Sequence, residues 1–107
     1  MKLHNSPFVF MRDGEKRVEL RLYDEKRRLI SSGDEIIFTN NTTGESLRTR
    51  VVALHVFSDF YELYRCFDKL AIGYGMDEEP NPADMEEYYS KEDISRWGVV
   101  GIEIALI

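Results

Sequence analysis

The stretch Gly14-Glu15-Lys16-Arg17-Val18-Glu19-Leu20-Arg21 holds the densest set of side chains able to do chemistry. Lysine offers a mobile point charge and arginine a planar fork, and both suit phosphate oxygens or the acceptor edge of a base. Glu19, between Arg17 and Arg21, can hold them in place, accept a hydrogen bond from a base amine, or act as a general base. The plain alternative is a strand face laced with salt bridges. A regular strand also puts Lys16 and Glu19 on opposite faces. For both to line one cleft, Lys16 must precede the regular pairing, or a bulge must re-aim it. Gly14, two residues earlier, suits such an irregular approach.

The other candidates are more scattered. Arg27 and Arg28 close a charged bend and suit phosphate, although a charge run at a bend is more often solvated. Tyr23, Tyr74, Tyr88, Tyr89 and Trp97 have faces on which a base can stack, against the ordinary reading that each is packing. His55 reads as structural, and His4 carries no information. Cys66 lacks an activating base, so a nucleophilic role is not expected. There is no CxxC and no HxxxH, so neither a metal site nor a cofactor is expected. Asp77, Glu78, Glu79 and Asp84 form an acidic loop that reads as solvated surface or as a weak hard-cation site.

These residues need a scaffold. At 107 residues with 43% hydrophobic content, the chain fits one domain with a modest core. Its start lacks an apolar signal segment, its most apolar stretch carries Glu103, and its single cysteine has no internal partner. A cytoplasmic protein, not a membrane one, is the expectation. The net charge is −6, with ten Lys/Arg against eight Asp/Glu in residues 1–50 and four against twelve in 51–107. Such a balance opposes broad, non-specific nucleic-acid binding while leaving room for a local basic pocket.

The pattern predicts a short strand over 1–5, then a helix opened by Ser6-Pro7 and closed by Gly14. Strands follow over 16–23, 35–39, 48–57 and 99–107, with a turn-rich loop from Asn40 to Gly44. Val18, Leu20 and Leu22 are expected inside, together with Val52, Leu54 and Val56. Asp59 caps the clearest helix, whose stripe runs through Phe60, Leu63, Tyr64, Phe67, Leu70 and Ala71. Short helices begin at Pro82 and behind Ser90. The fold class is α+β, a small closed or half-closed barrel.

Gly14-x-Lys16-x-x-Glu19-x-Arg21 resembles the signature motif of the ASCH domains, within the PUA-like superfamily. Tyr23 to Ile30, Gly33 to Phe38, Tyr88 to Glu92 and Gly98 to Ile102 are similar to that family too, so the resemblance runs over nearly the whole chain, 1–107. It implies a β-barrel closed on one side by helices, with a cleft lined by the motif that binds RNA or nucleotides. On that reading Lys16, Arg17, Glu19, Arg21, Tyr23 and Arg28 are the nucleotide-binding set. A short bacterial member is an amidohydrolase that deacetylates the exocyclic amine of acetylated cytidine. Its catalytic lysine falls on Lys16 and its catalytic glutamate on Glu87, while Glu19 stands where it has a threonine. The chain is thus expected to bind RNA or a nucleotide in this cleft, its partner being RNA or a modified nucleoside or nucleotide. The alternatives are a hydrolase of such a nucleoside or of RNA, with Lys16, Glu19 and Glu87 catalytic, and an interaction module using the acidic segment from Met76 to Glu87. Nothing in the sequence fixes an oligomeric state.

Overall fold

The computed structural model describes residues 1–107. Five strands, β1 (Lys2–Leu3), β2 (Val18–Leu22), β3 (Glu35–Asn40), β4 (Ser46–Phe57) and β5 (Val99–Leu106), form one sheet in the order β1-β3-β4-β5-β2. Only β1, beside β3, is parallel to its neighbour. The sheet curls into a half-barrel whose open seam lies between β1 and β2. Helices α1 (Asn5–Arg12), α2 (Phe60–Cys66) and α3 (Lys91–Trp97) and two 3-10 turns, Arg27–Leu29 and Pro82–Glu87, complete the α+β fold.

Local chemistry accounts for most element ends. Asn40 Oδ1 accepts from the amides of Thr42 and Thr43, folding the chain between β3 and β4. Asp59, Asn81 and Ser90 accept from the amides of Glu62, Ala83 and Asp93, capping the elements that follow. At α1 the expected Ser6 cap is absent. The helix starts two residues earlier, at Asn5 instead of Pro7, His4 is its N-cap without a side-chain bond, and the strand before it shrinks to Lys2–Leu3. Likewise α2 ends at Cys66, because Phe67 is already extended (φ −128°, ψ 143°), so Leu70 and Ala71 belong to the following loop.

The core is double. Inside the curled sheet, Leu3, Ile36, Phe38, Val51, Ile102 and Ile104 close around Phe8 and Met11 of α1. On the outer face, Val18, Leu20, Leu22 and Val99 pack under Phe60 and Leu63 of α2 and Ile72. Burying each large aliphatic or aromatic side chain contributes roughly 1.5–3 kcal/mol, so both clusters matter to the fold. The expected single inward set from β2 and β4 is therefore corrected. A bulge between Val51 and Ala53 leaves Val52 opposite no partner in the β4–β5 ladder and reverses which β4 residues face inward. Val51 is buried, Val52 is 48% exposed, Leu54 packs in the inner cluster, and Val56 near the strand end is 51% exposed. Leu20 is buried as expected, and Phe67 is half-buried against the outer cluster. No helix is long and apolar enough to cross a membrane.

Candidate functional site

The turn after α1 resolves the parity of Lys16 and Glu19. Asp13 donates its amide to Val9, Gly14 turns the chain at φ +86°, and the amides of Glu15 and Lys16 both donate to the carbonyl of Phe10. Arg17 and Val18 then share the carbonyl of Ala71, and the ladder with β5 opens only at Val18, opposite Glu103. Lys16 lies before the pleat, so its side chain is free to turn toward the face that carries Glu19. Gly73 makes the room. At φ +104° it favours glycine, and a Cβ there would stand 3.1 Å from Lys16 Cδ.

The result is a buried network on the inner face of β2. Lys16 Nζ donates to Glu19 Oε1 (2.7 Å), and Arg21 Nε donates to Glu19 Oε2 (2.7 Å). Arg21 Nη2 also crosses the open seam to the carbonyl of Lys2 in β1 (2.9 Å). Lys16 and Glu19 are buried and Arg21 partly so. Burial alone would raise the Glu19 pKa. The charge of Lys16, then that of Arg21, with their hydrogen bonds, more than offset this and hold it below the ordinary carboxylate value. Burial likewise works against the Arg21 guanidinium, yet Glu19 pushes its pKa up.

This network floors a cleft of about 470 Å³. Lys2, His4 and Pro7 form one side. The other is a wall from Ile72 to Tyr89 that includes Tyr74, Met85 and Glu87, with Tyr64 of α2 behind it. That wall is held together by its own hydrogen bonds. The hydroxyls of Tyr64 and Tyr74 lie 2.8 Å apart, Tyr74 donates to Asp84 Oδ2 (2.8 Å), and Glu78 Oε1 accepts from the amide of Gly75 (2.7 Å). Burial, reinforced by the Tyr64 and Asp84 contacts, raises the Tyr74 pKa strongly and keeps its hydroxyl a donor. Burial also raises Tyr89, against the opposing charge of Arg21. Tyr88 is 58% exposed at the rim, its ring 6.3 Å from that of His4.

Of the residues singled out from sequence, Lys16, Glu19, Arg21, Glu87, Tyr74, Tyr88 and Tyr89 thus meet in one cleft. Arg17, Tyr23 and Arg28 do not. Arg17 is exposed beyond the start of the ladder. The Arg28 guanidinium stacks on Tyr23 (4.3 Å) and donates to the carbonyl of Trp97, so both are engaged in holding α3 to the chain after β2. His55 pairs with Glu103 (2.9 Å) on the outer face, in keeping with a structural role. No group of three or more His, Cys, Asp or Glu is arranged to hold a metal ion. Lys2 and Gly73 were not foreseen as cleft residues, and Tyr64 was expected only as part of a helix stripe.

A family model described as the ASCH domain matches residues 1–107. Among solved structures, the chain is similar to the crystal structure of hypothetical protein PH0355, at 30% identity over 100% of both chains with a TM-score of 0.80. It is also similar to the solution NMR structure of protein PF0455 from Pyrococcus furiosus, at 28% identity over 99% of this chain and 96% of that one, with a TM-score of 0.70. No curated protein matches significantly. With the half-barrel, its motif-lined cleft and a family match along its whole length, the chain belongs to the ASCH domain family.

Proposed function

We propose that the chain binds a nucleobase-bearing ligand, nucleoside, nucleotide or RNA, in the cleft floored by Lys16, Glu19 and Arg21. The observation that carries this reading is the placement of Lys16. Its ammonium sits at the bottom of the cleft and spends one hydrogen bond on Glu19, which leaves further donors for a ligand oxygen. The volume suits a nucleoside-sized group, and Tyr88 offers an exposed face at the rim.

Binding is favoured over amide hydrolysis by the state of Glu19. Both of its oxygens are committed to cations and its pKa is held down, which makes it a weak general base. Glu87 lines the same cleft and is the carboxylate on which a hydrolytic reading must rest. The acidic-module reading is weaker, because Glu78 and Asp84 face the cleft and are tied to Gly75 and Tyr74.

The test is a thermal-shift panel of nucleosides, nucleotides and short RNAs, with N4-acetylcytidine included and its products followed by chromatography. A ligand that binds the native state raises the melting temperature with concentration. At least one panel member is expected to do so, with the shift lost in Lys16→Ala and no acetate released. A panel without any shift would overturn the proposal, and acetate release abolished by Lys16→Ala would replace it with the hydrolytic reading.

A further inference from the structure

The charges that line the cleft are unevenly placed. Between Leu70 and Ser90 the chain carries six carboxylates and no lysine or arginine. This segment is the cleft wall, and Glu78, Asp84 and Glu87, all solvent-exposed, line the cleft. Glu78 and Asp84 each have one oxygen held there, by the Gly75 amide and the Tyr74 hydroxyl, so these exposed carboxylates are ordered acceptors. On the floor, Glu19 neutralises one of the two charges of Lys16 and Arg21, and Lys2 adds one more at the seam. Three cations thus face four carboxylates, and the cleft as a whole is slightly negative.

A phosphate-bearing ligand needs the reverse. Nucleic-acid and nucleotide sites gain affinity by setting lysine and arginine against phosphate, and here two of the three lining cations already have a counter-ion. An ordered acidic wall also repels an anion, most of all at low salt. The same wall suits a neutral, donor-rich molecule. Exocyclic amines and ribose hydroxyls donate to carboxylates, while a ring carbonyl accepts from Lys16.

Resting on the proposal that the cleft binds a nucleobase-bearing ligand, we infer that its ligand class is the uncharged nucleoside, with phosphorylated forms and RNA chains discriminated against by the Glu78–Asp84–Glu87 wall. Lys16 reads the base carbonyl, the wall reads the donors, and Arg21 holds the floor and the seam together without meeting the ligand's charge.

Calorimetric titration tests this on the full chain. The probes are the four common ribonucleosides and N4-acetylcytidine, the 5′-monophosphate of each, and four-nucleotide RNAs, at 50 and 300 mM salt. The expected result is that the best nucleoside binds at least tenfold more tightly than its own monophosphate at 50 mM salt, with the gap narrowing at 300 mM. In the variant Glu78→Gln/Asp84→Asn/Glu87→Gln, nucleoside affinity should fall and monophosphate affinity should rise. Equal or tighter binding of the monophosphate or the RNA would overturn this inference and leave the binding proposal standing. Failure of every probe to bind would overturn both.

Discussion

The Lys16 ammonium and the Glu19 carboxylate meet at 2.7 Å with 7% and 5% of their side chains exposed, so each charge is largely withdrawn from solvent. Glu19 is also the counter-charge of Arg21. Truncating one member of a buried pair typically costs about 3–5 kcal/mol, because the remaining charge is left uncompensated. Glu19→Ala, which leaves two cations behind, is expected to lose stability in that range by urea denaturation, and Lys16→Met to lose less, since Arg21 still serves Glu19. A cost for Glu19→Ala below about 1 kcal/mol, the level of an exposed pair, would show that the network is not a stability element.

Acid should act through the same carboxylate. A group whose folded pKa lies below its unfolded value, about 4.3 for glutamate, binds fewer protons in the native state. Its stabilisation is present above that value and lost as pH falls through the lower, native one. Comparing denaturation midpoints between pH 6 and pH 2.5, the parent should decline more steeply below about pH 4.3 than Glu19→Gln. Parallel acid profiles would count against the assignment.

Gly73 and Gly44 separate backbone strain from cleft geometry. Both have positive φ, +104° and +77°, and each alanine variant is expected to lose about 1–3 kcal/mol. Only at Gly73 would the new Cβ crowd Lys16, whereas nothing lies within 4 Å at Gly44. Ligand affinity should therefore fall in Gly73→Ala and hold in Gly44→Ala, and equal affinities in the two would place Lys16 outside the ligand contact.

The bulge in β4 makes adjacent valines unequal. Val51→Ala is expected to cost about 2 kcal/mol from lost burial and a residual cavity, and Val52→Ala less than about 0.5 kcal/mol. Similar losses at the two sites would mean that the bulge does not persist in solution.

That bulge also marks the limit of what the sequence could disclose. Alternation from Val52 to Val56 looks regular, and no residue there announces that Val52 drops out of the ladder; the irregularity is settled by how β4 pairs with Ile104 and Glu103 of β5. The cap at Asp59 and the helix starts at Pro82 and behind Ser90 were legible because each depends on near neighbours in the chain. The motif residues were legible as a set, and the turn that unites Lys16 with Glu19 left a mark in Gly14. Arg28 and Tyr23 were not separable from that set by type, because their partners, Trp97 and each other, depend on where α3 docks. Lys2 enters the cleft only because β1 lies across the seam from β2, a matter of topology.

The seam itself sets how the molecule breathes. β1 pairs with β3 through Lys2 and Leu3 alone, and toward β2 the Lys2 carbonyl is met by the Arg21 side chain. A strand so briefly paired is among the first parts of a sheet to detach, and its detachment widens the cleft while the long β4–β5 ladder stays shut. The amides of Thr39 and Asn41 donate to the carbonyls of Met1 and Leu3, so their exchange with deuterium counts those excursions. A molecule spanning Lys2 and Lys16 would slow that exchange and leave β5 untouched. Occupancy of the cleft is thus readable from two backbone protons on β3 and the turn after it, neither of which lines the cleft.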